Sequence, residues 1–508
     1  MRLLPAAVFA PQDEDQGLAR KSASGGIITM GSQAVLFALS MLRTVVLARL
    51  LTPGDFGLIS MVAVITGFAG MFKDAGLSLA TVTQGQITPA QISNLFWTNA
   101  LISTGLGGCI LLGSPLVASF YSQPELAAIT AALAVPFVIS GLTIQHQALL
   151  RRQMRFGALA VIHIATQVVS LAMVTMLAWL GWRYWALVAG SVLEALCTLS
   201  LALFFCPWVP GRIQKGVGSR RMFAFGGHIA AFNFVNYFSR NLDNILIGRY
   251  IGADALGLYS RAYSLFMLPF SKVRGPMTEV AMPALSRLRE QPKRFVAYFR
   301  RYLDLVATVI VPIVAYSILE ADFVIGTLLG DQWLDAVPIF KILAVAGLVQ
   351  AIASFARGLT LIPFGFTARY LRWGVANSVV KVISFVVGLR YGVIGIAAAY
   401  AITDLIVLIP SLLYSFKGTP VRLGMFFQSL AAPSAITVAA VLIALGMRFA
   451  LPVDATGGHL LVLAVTGSSY VGLSLCREPV RETITLVAVR LRPRRERRSL
   501  KSIAGQCR

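Results

Sequence analysis

Stretches of about 20 apolar residues recur along almost the whole chain, from Gly25 to Cys476, and leave no interval wide enough for a soluble domain. In a bilayer interior a backbone must satisfy its own hydrogen bonds, and a helix does so within each segment. Of the 508 residues 57% are hydrophobic and only 13% charged, and the mean hydropathy is +0.76, which excludes an ordinary water-soluble domain. The pattern predicts an all-α polytopic membrane protein of about fourteen transmembrane helices. They are expected over 26–49, 56–81, 92–119, 125–148, 157–180, 184–206, 222–248, 256–284, 300–321, 333–359, 367–388, 392–415, 426–448 and 457–476. Asp13, Glu14 and Asp15 interrupt the one short apolar run before Gly25, so the first helix reads as a retained anchor and not as a secretory signal.

Charge tests this map. The chain carries 44 Lys and Arg against 21 Asp and Glu, a net +23. In a membrane protein such an excess is first a topology signal, because basic residues collect in cytoplasmic loops, and it does not call for nucleic acid. One alternating set of loops is rich in bases, with Arg20 and Lys21, Arg151 and Arg152, Arg220 and Arg221, Arg300 and Arg301, Arg369 and Arg372, Lys417 and Arg422, and the tail after Cys476. The opposite set holds only Arg49, Arg183, Arg249, Arg390 and Arg448. Both termini are therefore expected to be cytoplasmic.

An internal repeat appears at an offset of 200. Ala48-Arg49-Leu50-Leu51-Thr52-Pro53-Gly54-Asp55-Phe56-Gly57-Leu58-Ile59-Ser60 parallels Gly248-Arg249-Tyr250-Ile251-Gly252-Ala253-Asp254-Ala255-Leu256-Gly257-Leu258-Tyr259-Ser260, each between the first and second helix of its half. The chain is accordingly expected to divide into a tail over 1–24, an N-lobe of six helices over 25–206, a basic linker over 207–221, a C-lobe of six helices over 222–415, two further helices over 426–476 and a basic cytoplasmic tail over 477–508.

Nine bases fall inside the expected spans: Arg43, Lys73, Arg240, Arg261, Lys272, Arg274, Lys341, Arg357 and Lys381. A charge at mid-membrane costs at least about 2.5–3.5 kcal/mol, so such residues are expected to line a polar interior. All but Lys341 are taken as candidates for a substrate-binding cationic cavity. The seventh helix carries Asn233, Asn236, Tyr237, Arg240, Asp243 and Asn244 at three- and four-residue spacing, which makes one polar stripe. For Arg240 the residues leave a second reading, a local ion pair with Asp243; for Lys73, one with Asp74; for Lys272 and Arg274, snorkelling to the cytoplasmic surface. Asp74, Asp243 and Asp404 are candidates for binding a coupling ion, and Glu194 is a fourth embedded acid.

The four histidines are scattered, the five cysteines have no paired spacing, and no phosphate loop or nucleophile elbow is present, so neither an enzyme nor a cofactor or metal site is expected.

The motifs Leu51-Thr52-Pro53-Gly54-Asp55-Phe56-Gly57-Leu58, Asp74-Ala75-Gly76-Leu77, Asn241-Leu242-Asp243-Asn244-Ile245-Leu246-Ile247-Gly248-Arg249 and Leu256-Gly257-Leu258-Tyr259-Ser260-Arg261-Ala262-Tyr263 resemble those of the Wzx-like flippases. These form the polysaccharide branch of the multidrug/oligosaccharidyl-lipid/polysaccharide exporter superfamily, and the similarity is strongest to its colanic-acid-exporter-like subgroup. The resemblance implies a pair of six-helix lobes as in multidrug and toxin extrusion proteins, alternating between inward- and outward-open states. It also implies an undecaprenyl-pyrophosphate-linked oligosaccharide as substrate, a bacterial inner membrane location, coupling to a proton or sodium gradient, and polysaccharide polymerase or assembly proteins as partners. Two other readings stay open: a drug or metabolite cation antiporter, which the excess of bases disfavours, and a peptidoglycan lipid-precursor flippase, which the loop motifs disfavour.

Overall fold

A computed structural model describes residues 15–74, 76–84, 87–214, 237, 240–450 and 456–475. Among them the secondary structure is helical, without strands. The helices are α1 (Asp15–Leu50), α2 (Pro53–Lys73), α3 (Leu77–Thr83), α4 (Pro89–Tyr121), α5 (Glu125–Arg152), α6 (Phe156–Trp179), α7 (Tyr184–Phe205), α8 (240–250), α9 (Ala253–Arg287), α10 (Pro292–Leu319), α11 (Ala321–Leu328), α12 (Val337–Leu361), α13 (Thr367–Leu389), α14 (Gly392–Phe416), α15 (Leu423–Ala450) and α16 (Thr456–Leu475). Among the described residues 11 spans are long and apolar enough to cross a membrane, and they match the expected spans one to six and nine to thirteen. Expected spans eight and fourteen are present as the helices α9 and α16, and most of span seven lies outside the described residues.

The chain packs as two compact units. Unit 1 comprises Met1–Arg261, Ile325–Ala336 and Ser378–Ile396; unit 2 comprises Ala262–Val324, Val337–Asn377 and Ala397–Arg508.

In unit 1 two helices start on the same device. The Thr52 hydroxyl accepts from the Asp55 N–H, while the Asp55 carboxylate accepts from the Thr52 N–H at 3.0 Å, and Pro53 fills the first helical position, where no N–H is needed. Thr88, Pro89 and Gln91 repeat the arrangement at α4. The sequence-based spans begin three residues late at both sites, because the polar first turn reads as loop. The second expected span, 56–81, is broken: α2 ends at Lys73, Gly76 adopts φ +74°, and α3 restarts at Leu77. Glycine tolerates that left-handed backbone, and the Asp74 carboxylate accepts from the Ser78 N–H at 2.9 Å and from its hydroxyl, filling the gap in the ladder.

Helices in lipid gain little from apolar burial alone, so close approach and interhelical hydrogen bonds must hold them. Unit 1 has both. Fully buried Asn99 and Gln145 join α4 to α5 by a 2.9 Å bond, Gln145 accepts from Thr81 of α3 at 2.8 Å, and Asn99 donates to the Lys73 carbonyl at 3.3 Å. Below this network, Leu77, Ile92, Leu95, Phe96, Leu149 and Trp208 close an apolar cluster. The segment after α7 is clamped onto α4: Trp97 Nε1 donates to the Gly211 carbonyl at 2.9 Å, and the Asn94 side chain exchanges two bonds with the Gln214 backbone.

The two repeated segments meet inside unit 1. A Cβ on Gly57 would fall 1.8 Å from the Ala253 carbonyl oxygen, and one on Gly257 would fall 1.9 Å from the Pro53 carbonyl oxygen, so α2 and α9 cross at backbone contact through one glycine each. One turn further on, the Ser60 and Ser260 hydroxyls hydrogen-bond at 3.1 Å. The turn at Asp331–Ala336 covers the end of α1: Trp333, fully buried, donates from Nε1 to the Ala48 carbonyl at 2.7 Å, and Gln332 donates to the same oxygen at 2.6 Å.

Unit 2 is built on α10, which packs against α12, α15 and α16. Its core is aromatic, with Phe295 against Phe364, Phe299 against Phe416, and Phe416 against Phe426. Tyr470 ties α16 to α10 by donating to the Thr308 carbonyl at 2.7 Å.

Candidate functional site

Among the embedded charges of unit 1, Arg261 and Arg43 lie near each other, and Asp74 and Asp243 hold hydrogen bonds from neighbouring side chains. Arg261 lies on α9, one residue past the Ser260 contact, and its guanidinium sits 4.2 Å from the ring centroid of Phe56 in the first turn of α2. Its Nε is buried and has no hydrogen-bond partner among the described residues. Arg43 of α1 lies within electrostatic reach of it and is paired with Glu194 of α7 at 3.5 Å, an acid about half exposed. Glu194 is thus the partner of Arg43, and no ion pair of Arg261 occurs among the described residues. A guanidinium whose N–H edge is free while its face is occupied is arranged to receive an oxyanion.

Lys73 stands at the end of α2, at the helix break, and the sequence leaves it a local pair with Asp74. Asp74 takes hydrogen bonds from Ser78 and, at 3.5 Å, from Asn99, and its charge also reaches Lys73, whose ammonium lies 5.9 Å from the Phe137 ring centroid.

Arg240 is exposed on α8. Asp243, one turn on, is buried and accepts from the Tyr259 hydroxyl at 2.8 Å and from the Asn244 N–H at 2.9 Å. The charge within reach of Asp243 is that of Lys381 on α13, itself buried, and among the described residues the hydrogen bonds to its carboxylate come from Tyr259 and Asn244. Tyr237 donates to the Val64 carbonyl at 2.8 Å, which seats this polar segment against α2. Asn233, Asn236 and the Lys272 side chain lie outside the described residues.

Unit 2 holds a separate polar group. Arg357 of α12 donates to Ser411 of α14 at 2.7 Å and lines, with buried Asp404, Gln350 and Asn377, a cavity of about 20 Å³, room for about one water. Tyr400 donates to Gln350 at 2.8 Å. Arg274 is exposed on α9, and Lys341 pairs with Asp322 at 2.9 Å near the start of α12, both side chains more than a third exposed. Among the described residues no group of three metal-ligating side chains occurs.

Sequence reasoning named the bases but not what sets their roles: Phe56 under Arg261, Tyr259 on Asp243, Ser411 on Arg357. The Thr-Pro-x-Asp cap is the local signal that starts this helix at Pro53 and so puts Phe56 at the end of its first turn.

A family profile described as polysaccharide biosynthesis protein matches residues 46–338. The chain is similar to the teichuronic acid biosynthesis protein TuaB of Bacillus subtilis, 28% identical over 388 residues that cover 75% of this chain and 80% of the relative. It is 22% identical to the lipopolysaccharide biosynthesis protein WzxC of Escherichia coli over 343 residues, 66% of this chain and 69% of the relative. In fold it resembles the solved structure of the lipid II flippase MurJ, with a TM-score of 0.67 at 14% identity, covering 89% of this chain and 98% of that one.

Proposed function

The chain belongs to the polysaccharide biosynthesis protein family, and from that premise we propose that it flips a polyprenyl-pyrophosphate-linked oligosaccharide repeat unit across a bacterial inner membrane by alternating access. The product feeds exopolysaccharide, capsule or lipopolysaccharide assembly, in keeping with relatives named for teichuronic acid and lipopolysaccharide biosynthesis. The activity is transport, without covalent chemistry, and both termini are cytoplasmic.

The observation that carries the reading is Arg261, a guanidinium held against a ring with a buried Nε lacking a hydrogen-bond partner. A pyrophosphate supplies the oxygens that such a group lacks, and the planar fork of arginine matches them. Arg43 and Arg240 contribute further positive charge to the substrate path, and Lys73 does so at the helix break. A cation antiporter would need the reverse, free carboxylates, and the bonds on Asp74 and Asp243 leave those acids engaged. Of the acids available for a coupling proton or sodium ion, Asp404 fits best, since it faces a cavity with room for one water. Arg357 and Lys381 serve as internal counter-ions. The six-helix lobes at 25–206 and 222–415 are the moving bodies, and the polymerase is the partner that receives the flipped unit.

The test is depletion of the protein in its own bacterium, followed by mass spectrometry of polyprenyl-linked sugars. Accumulation of an undecaprenyl-pyrophosphate-linked repeat unit, reversed by the wild-type gene and not by Arg261→Ala at equal protein level, is the expected result. Unchanged lipid-linked sugars on depletion would sink the proposal.

A further inference from the structure

We propose that Phe56 is a positioning residue for the phosphate contact of Arg261, holding that guanidinium by its face and leaving its hydrogen-bonding edge open to the ligand. The inference rests on reading Arg261 as an anion donor.

A buried guanidinium needs something to offset its lost hydration. A carboxylate does so by occupying the N–H edge, as Glu194 does for Arg43. An aromatic ring does so through its electron-rich face, which attracts the cation and engages no N–H. Phe56 lies 4.2 Å from the Arg261 guanidinium, and the buried Nε of Arg261 has no hydrogen-bond partner among the described residues.

The ring can hold Arg261 because it is itself held. Phe56 is only 3% exposed and packs edge-on against Trp333, with centroids 5.5 Å apart and planes at 61°. Trp333 in turn is tied to the Ala48 carbonyl through Nε1. The backbone of Phe56 follows directly on Asp55, which closes the Thr52 cap. A side chain that is anchored by its neighbours on one edge and presents one face to a cation orients that cation, which a flexible aliphatic side chain of equal volume does not.

The test uses the full-length protein in liposomes, with a short-chain polyprenyl-pyrophosphate-linked sugar as probe and flipping as readout. Phe56→Leu is expected to raise the KM for this lipid about tenfold, the loss of a desolvated cation–π contact, while kcat stays within about twofold. Phe56→Tyr and Phe56→Trp, which keep a ring face, are expected to retain a KM near wild type. A plain packing role would instead lower the folded yield of Phe56→Leu and leave the KM of the folded fraction unchanged, and that result overturns the proposal. Arg261→Ala separates the two levels. If it loses lipid binding while Phe56→Leu behaves as wild type, the positioning role fails and Arg261 keeps its place; if Arg261→Ala has a wild-type KM, both fall.

Discussion

The hydroxyls of Ser60 and Ser260 meet at 3.1 Å, exactly 200 residues apart in the chain and at the same position of the two repeated segments. The contact requires α2 and α9 to touch at this level. With Ser60→Cys and Ser260→Cys together, oxidation of membranes is expected to form an intrachain disulfide, visible as protection of both thiols from a mass-tagging maleimide. Flipping should stop and return with reductant. Continued flipping by the fully cross-linked protein would mean that α2 and α9 do not separate here during transport.

Gly57 and Gly257 set how closely those helices approach. Either glycine changed to Ala drives a methyl into a backbone carbonyl, which cannot rotate away, and overpacking of this kind costs about 1–3 kcal/mol. Both single variants are expected to lower the unfolding temperature of the detergent-purified protein, whereas Gly70→Ala, with open space around its Cβ, should leave it unchanged.

The bonds on Asp243 decide how its neighbours respond to change. Tyr259→Phe removes the hydroxyl that the buried carboxylate accepts from, a loss of about 1–3 kcal/mol, and should reduce the amount of protein in the membrane. Arg240→Ala should leave that amount near normal and reduce export. Adding Asp243→Ala to Arg240→Ala should not restore export, because the described partners of Asp243 are Tyr259 and Asn244. Export by the double variant at wild-type level would return Arg240 to the role of counter-ion.

In unit 2, Arg357→Met leaves the Asp404 carboxylate in its cavity beside one cation fewer, a change of about 3–5 kcal/mol for a buried group. Arg357→Met combined with Asp404→Leu removes both charges and should recover most of the lost stability. Thermal unfolding of the two variants measures the difference, and equal losses in both would show that the two charges do not depend on each other.

How far these features could be read from the sequence differs between fold and site. Helical spans follow from apolar length, a local property, so their order and approximate extent were legible wherever the chain was uniformly apolar. The break at Asp74 and Gly76 was not, because hydropathy averages over it and only the backbone angle of Gly76 reveals it. The bases were visible as costs that a membrane protein must meet somewhere. Their partners were not, since Phe56 and Arg261, or Asp243 and Lys381, are joined across long sequence separations by packing that no local pattern encodes. The repeat was legible as a coincidence of letters at an offset of 200; that the two copies touch each other was not.

That touch has a symmetry of its own. Gly57 meets the carbonyl of Ala253 and Gly257 meets that of Pro53, so position and partner exchange when the copies exchange, and the two serines that meet each other lie where the exchange axis passes. This is the signature of an isologous interface between identical subunits, in which residue i contacts j and j contacts i. A chain carrying it within one polypeptide makes between its own two copies the kind of contact a two-fold homodimer makes between subunits. A side chain added at either glycine meets the backbone of the other copy, so the room each copy needs at this crossing is set by its counterpart.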